Sequence, residues 1–332
     1  MSFGQQSVDS ELVAAQRQSQ KLRPALRRVV AVFNGKGGVG KTSLTANLAG
    51  LLALAAADAQ SPRRVLVVDC DPQGNVGLDL GYAKGPADDD GRGLVQAMVS
   101  GGQPARIRDV RPWLDVIPGG AALDEVNGIK FGKISVGKAH ESRLALAQVL
   151  ATVGEEYDWI LVDCPPRETN LQDMVLVAAR AVLVPVSFDQ GSRQGLSGVS
   201  DRFGQALQLN ETLELLGVAM FGFQYRTGRD GGEVGQRKAV RAEFSADLAA
   251  AGTDAKVFDT VIRYQATVAK SARDRGQLVY ELETATGPKW WEIRAGTASG
   301  RPVPNTEAAK VAQEYEDLAA EVFTRFMQME QP

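Results

Sequence analysis

The segment Gly35-Lys36-Gly37-Gly38-Val39-Gly40-Lys41-Thr42 constrains this chain more than any other. A Gly followed after four residues by Gly-Lys-Thr is the phosphate-binding loop pattern, which needs a strand before it and a helix after it. Both flanks are present. Val29-Val30-Ala31-Val32-Phe33 reads as a buried strand, and the Ala/Leu-rich run from Leu44 to Ala57 reads as a helix. Glycines let backbone N–H groups turn onto phosphate oxygens, and the helix start adds its positive dipole end. Lys41 is placed to reach the β- and γ-phosphates, Thr42 to put its hydroxyl on Mg²⁺, and Ser43 to add a further phosphate contact. A chance glycine-rich turn is the competing explanation, and the flanks argue against it. The expected ligand is a nucleoside triphosphate.

Lys36 is unusual because the loop pattern has no charge requirement there. It has two readings: a solvated loop lysine, or a cation that reaches across to the phosphates of a facing subunit. Three further segments bear on the choice. Arg64-Val-Leu-Val-Val-Asp69-Cys70-Asp71 reads as a buried strand ending in carboxylates, followed by Pro72-Gln73-Gly74-Asn75. Trp159-Ile-Leu-Val-Asp163 is a second apolar strand ending in an acid, followed by Cys164-Pro165-Pro166, and Ala181 to Val186 is a third. Mg²⁺ takes oxygen ligands and keeps several waters, so strand-end carboxylates suit it. Helix capping or an ordinary loop position is the plainer reading of each acid.

Taken in order, Lys36-Gly-Gly-Val-Gly-Lys-Thr42, Asp69-Cys-Asp-Pro-Gln-Gly-Asn75 and Asp163-Cys-Pro-Pro166 closely resemble the ParA family of partition ATPases. That family belongs to the deviant Walker-A group, with MinD and the nitrogenase iron protein. The resemblance spans roughly Val29 to Gln277 plus a terminal helix from about Asn305. It implies an α/β fold with a doubly wound, mostly parallel sheet of the P-loop NTPase type. It also implies ATP and Mg²⁺ as ligands, with phosphate contacts from Gly35, Lys36, Gly37, Gly38, Val39, Gly40, Lys41, Thr42 and Ser43. Asp163 resembles the acid that meets the metal through a water, with Asp69 supporting that shell beside Thr42. Asp71 resembles the acid that positions the attacking water, so Lys36, Lys41 and Asp71 form the expected catalytic set. Lys36 would act from the facing subunit of an ATP-bound homodimer, an arrangement that the resemblance implies and the spacing alone does not. Phosphoryl transfer is mostly positioning plus charge neutralisation, and a cation supplied in trans is worth roughly 10³–10⁵ in rate in other such enzymes.

The family's other partners are non-specific double-stranded DNA and a ParB-like centromere-binding protein. The net charge of −3 argues against a wholly basic surface, so local clusters matter instead. Arg226, Arg229, Arg237, Lys238 and Arg241 crowd one segment; Lys270, Arg273 and Arg275, with Arg263 before them, crowd another. On charge alone a solvated face explains these clusters, whereas the resemblance makes them candidate DNA contacts. Guanine-reading Asn-Lys-x-Asp does not occur, which favours ATP. The family's adenine site corresponds to Gly222 to Gln224 and Arg263-Tyr264, where this sequence departs from the usual family runs; Arg226-Thr227 matches a common pair just beyond.

At 332 residues the chain reads as one domain with insertions. A polar N-terminal extension (1–27) carries a short helix over Glu11 to Gln20, capped at Asp9 or Ser10 and leading into basic Lys21, Arg23, Arg27 and Arg28. The ATPase domain (28–332) carries surface insertions near 82–112 and 284–304. Further strands are expected at Leu114 to Pro118, Leu215 to Phe223 and Val257 to Ile262, and a helix at Ala139 to Val153. No run of about eighteen apolar residues spans a membrane and no secretory signal opens the chain, so the expected place is the cytoplasm, on the nucleoid. Cys70 and Cys164 read as buried small residues, and a single histidine, His140, leaves little for histidine catalysis or zinc ligation. A MinD-like membrane ATPase would need a basic amphipathic terminal helix. Val322, Phe323, Phe326 and Met327 do share a side there, but Arg325 stands against Glu321 and Glu330, so packing on the core is expected. An ATPase that positions a cargo other than DNA would use the same switch. A nitrogenase-like reductase would need cysteines placed to ligate a cluster between subunits.

Overall fold

Apolar runs too short for helices and unbroken by polar residues become strands buried on both faces. In the computed structural model, which describes residues 3–59, 61, 63–126, 128, 138–187, 191–223, 235–284 and 305–330, these runs form one sheet. Its strands are β1 (Val29–Val32), β2 (Arg64–Asp69), β3 (Ile107–Arg111), β4 (Leu114–Ile117), β5 (Tyr157–Asp163), β6 (Ala181–Val186), β7 (Glu214–Phe223) and β8 (Lys256–Arg263). Every residue of β1, β4 and β6 is buried. The spatial order is β3-β4-β2-β5-β1-β6-β7-β8, and only the β3–β4 pair is antiparallel.

The helices are α1 (Phe3–Leu26), α2 (Lys41–Asp58), α3 (Val76–Leu80), α4 (Arg92–Ser100), α5 (Ala139–Ser142), α6 (Ala145–Ala151), α7 (Thr169–Ala178), α8 (Gly191–Leu207), α9 (Gly235–Ala250), α10 (Ala266–Arg275), α11 (Val279–Thr284) and α12 (Asn305–Met329). They cover both faces of the sheet and close two separate cores. Val29, Ala31 and Phe33 enter one, with Ala15 and Leu26 of α1 and Leu146 and Val149 of α6. Val30 and Val32 enter the other, with Leu44 and Leu48 of α2 and Val322 and Phe326 of α12. The strand period of two thus feeds both layers, as the doubly wound reading requires. β1 lies between β5 and β6, where the chain's path reverses across the sheet. Val32 and Asp69 both stand in register with Asp163, so the loop and the acids emerge together at the carboxyl ends of the strands.

Four expectations are corrected. The N-terminal helix is not a short one capped at Asp9 or Ser10. It runs from Phe3 to Leu26, and Leu12, Ala15, Ser19, Leu22 and Leu26 carry a helical period onto the body of the protein. Ser19 donates to the Leu209 carbonyl and Arg23 to the Val177 carbonyl at 2.9 Å, so α1 is tied down along its length. The 82–112 stretch is not wholly a surface excursion, since α4 buries Leu94, Val95, Ala97 and Met98, and β3 pairs with β4. The helix expected over Ala139 to Val153 is two, α5 and α6, broken at Arg143-Leu144. The terminal helix packs as expected, with Phe326 buried 4.6 Å from the Trp159 ring, whereas Phe323 and Met327 stay exposed rather than sharing its buried side. Among the described residues no helix is long and apolar enough to cross a membrane. Most of the 284–304 insertion lies outside the described residues.

Candidate nucleotide-binding site

β1 delivers the chain to a loop that is anchored before it begins. Buried Asn34 donates to the Pro185 carbonyl at 2.8 Å and accepts the Lys36 N–H at 2.9 Å. The loop ends at Gly40, whose φ of 84° is left-handed, and a Cβ there would collide with the Phe221 ring, so glycine is required twice over. Gly40, at the N-cap of α2, has no side chain to cap it, which leaves the first N–H groups of α2 to the loop interior. Lys41 is 7% exposed and its ammonium donates to the Lys36 carbonyl at 2.8 Å. Burial lowers its pKa, with Cys164, Asp163 and Asp71 acting the other way.

The acids converge on the same point. The Thr42 hydroxyl donates to Oδ2 of Asp163 at 2.6 Å, while Asp163 Oδ1 is buried without a hydrogen-bond partner among the described residues. A buried carboxylate oxygen left open beside a threonine hydroxyl suits a hydrated Mg²⁺, so the residues present fit that ion. Asp69 is also bound to the backbone. Its Oδ1 accepts the Asp71 N–H at 3.0 Å and its Oδ2 the Val76 N–H at 3.1 Å, so it shapes the turn that carries Asp71. Asp71, 7% exposed, accepts the Gln73 N–H at 3.0 Å. Cys70 and Cys164, next to these acids, are buried and unbridged.

Burial pushes the Asp163 carboxyl up to about 7, and burial together with the Asp163 charge raises Asp69 well above the ordinary carboxylate range. Because folded Asp163 holds its proton more tightly than the unfolded chain does, its stabilising contribution is full at low pH. That contribution is lost as the pH rises from the ordinary carboxylate range through about 7. In a chelator, the melting temperature of the wild type relative to Asp163→Asn is therefore expected to fall between pH 5 and 7 and then level off. A difference independent of pH would contradict this assignment.

Ser43 does not stand alone at the loop. Its hydroxyl donates to Oδ2 of Asp79 at 3.0 Å, and Oδ1 of Asp79 accepts Nε of Arg273 at 2.7 Å. Asp79 was not among the residues singled out from sequence, since no motif spacing marks it. Asn47, one helical turn beyond Ser43, accepts the Val279 N–H and carries α11 onto α2. A cavity of about 120 Å³ lies beyond the start of α2, with Ser43, Asp79, Phe221, Arg263, Tyr264 and Tyr315 in its lining. Arg263 and Tyr264, two of the residues that the resemblance assigns to the base, line this cavity, whereas Gln224 lies outside the described residues.

The basic candidates separate. Lys238, Lys270 and Arg275 are exposed. Arg241 is half-buried and donates to the Phe258 and Asp259 carbonyls at 2.7 and 2.8 Å, and Arg273 is bound to Asp79. Arg241 is thus engaged within the fold, whereas Arg273 holds Asp79 with a side chain that stays exposed. Arg237 is half-buried, and Arg226 and Arg229 lie outside the described residues.

Comparison with known proteins agrees with this architecture. Residues 27–215 match the family model described as AAA domain. The chain is 30% identical over 263 residues to the chromosome partitioning protein ParA of Caulobacter vibrioides, covering 78% of this chain and 89% of that protein. It is also 30% identical over 203 residues to the sporulation initiation inhibitor protein Soj of Bacillus subtilis, covering 60% and 74%. In fold it is similar to the ATP complex of McdA from Cyanothece, with a TM-score of 0.63 at 19% identity over 90% of this chain and 96% of the other. Loop chemistry, family model and extended relatives lead to one conclusion: this chain is a P-loop ATPase that takes ATP and Mg²⁺, and it belongs to the ParA family of partition ATPases.

Proposed function

We propose that the chain segregates DNA as an ATP-bound sandwich dimer that binds non-specific duplex DNA in the cytoplasm, on the nucleoid. It lets go on slow hydrolysis, which a ParB-like centromere-binding partner accelerates. The observation that carries the reading is the backbone of Lys36, held at its N–H by Asn34 and at its carbonyl by Lys41. These two bonds fix the backbone from which the Lys36 side chain extends. The likeness to a chromosome partitioning protein along 89% of its length supports the partition role. Exposed Lys238, Lys270 and Arg275 supply the cations for phosphate contacts that do not read sequence.

In this mechanism Lys41 neutralises the β- and γ-phosphates from within its own loop. Thr42 and Asp163 would hold Mg²⁺, and Asp69 fixes the turn from which Asp71 would orient the attacking water. Bound Mg²⁺ supplies further neutralisation of phosphate charge. The partner's copy of Lys36 adds the last cation, so each site is complete only in the dimer. Asp71→Ala is accordingly expected to bind ATP, dimerise and stay longer on DNA, while turnover falls by about 10²-fold or more. Light scattering, DNA-release kinetics and phosphate release check the three parts. Rapid turnover by this variant would remove Asp71 from the catalytic role.

A further inference from the structure

Asp79 is 6% exposed and accepts the hydroxyl of Ser43, the residue that follows Thr42. A hydroxyl carries a single proton. With phosphate at the start of α2, Ser43 can donate to the phosphate or to Asp79, but not to both. In either case a buried acid sits beside an anionic ligand, and repulsion between like charges in a partly buried site is strong. The compensating charge comes from far along the chain, as Arg273 of α10 binds Asp79 at 2.7 Å.

The two helices that carry this pair are fastened at their ends. α3 ends at Gly81 and α10 at Gly276, both with left-handed φ (80° and 60°), and their backbones are in direct contact. A Cβ on Gly81 would lie 2.9 Å from the Gly276 carbonyl oxygen, and one on Gly276 would collide with the Gly81 Cα. Arg111 spans the junction, donating to the Leu80 carbonyl at 3.2 Å and to the Gly276 carbonyl at 2.9 Å while paired with Glu281. Asp79 and Arg273 are therefore held together by packing as well as by charge.

We propose that the Asp79–Arg273 pair sets nucleotide affinity: Arg273 neutralises a buried acid beside Ser43 so that the loop accepts a polyphosphate, and it is a positioning residue rather than a DNA contact. The proposal rests on the nucleotide reading of the loop. The test is calorimetry of ADP with Mg²⁺ on the full chain. Arg273→Gln is expected to weaken binding at least about tenfold, because Asp79 is left uncompensated. Asp79→Asn should bind as the wild type does or more tightly, and the double variant should return to within about twofold of Asp79→Asn. Wild-type affinity in Arg273→Gln, or a double variant as weak as Arg273→Gln, overturns the proposal. So does an Asp79→Asn variant as weak as Arg273→Gln, the pattern of a purely structural clasp. Should Arg273→Gln fail to fold, Asp79→Asn decides alone: undiminished affinity supports the proposal and a tenfold loss overturns it. Failure of the wild type to bind ADP would overturn the loop reading as well, which an unchanged Arg273→Gln with a normal wild type would not.

Discussion

Lys41→Ala is expected to lose tight ATP binding, with affinity falling about a hundredfold or more, since truncating one partner of a buried charge pair costs on that scale. The residue is 7% exposed, and its ammonium rests on the Lys36 carbonyl at the heart of the loop. Burial disfavours that charge, so a bound triphosphate offsets a penalty the lysine already carries. Alanine removes both the cation and the bond that holds the carbonyl of residue 36. Dimerisation and DNA binding should disappear with nucleotide. Calorimetry with ATP checks the first effect directly, and wild-type affinity would mean that the loop does not hold phosphate.

What could be read from the sequence follows from how local its cause is. The loop needs glycine at Gly40 because of a left-handed backbone, a property of a few adjacent residues, and its flanking strand is one unbroken apolar run. The strand-end acids were legible for the same reason. The length of α1 was not, because a polar run ending at Asp9 and Ser10 looks like a cap until Ala15, Ser19 and Leu26 are seen to meet the rest of the fold. α4 was hidden by flanking Gly and Asp, although Leu94, Val95 and Met98 bury it. The partners of two basic candidates were not legible. Arg273 finds Asp79 across 194 residues, and Arg241 finds the carbonyls of β8, partnerships that no spacing announces. The position of Asp69 at a strand end was legible, whereas the two backbone N–H groups of the turn that its oxygens accept were not.

The second large effect concerns Lys36. Lys36→Ala is expected to bind nucleotide as a monomer, because Lys41 and the loop amides remain, and to lose stimulated hydrolysis by about 10³-fold or more. Stable ATP-dependent dimers should be lost too, since two sets of phosphates would then face each other without the neutralising cations. DNA binding should weaken with the dimer, and its salt dependence should become shallower because fewer phosphate contacts are made at once. Gel filtration with ATP, phosphate release with a stimulating partner, and DNA retention at several salt concentrations measure these effects separately.

Mixing Lys36→Ala with Asp71→Ala tests the trans mechanism most directly. In a mixed dimer, the site on the Lys36→Ala subunit keeps its own Asp71 and receives an intact Lys36 from its partner, while the other site lacks both. Hydrolysis should therefore return in the mixture to a fraction of the wild-type rate, although each variant alone is inactive. Mixed dimers that form and remain inactive would show that Lys36 does not act across the interface.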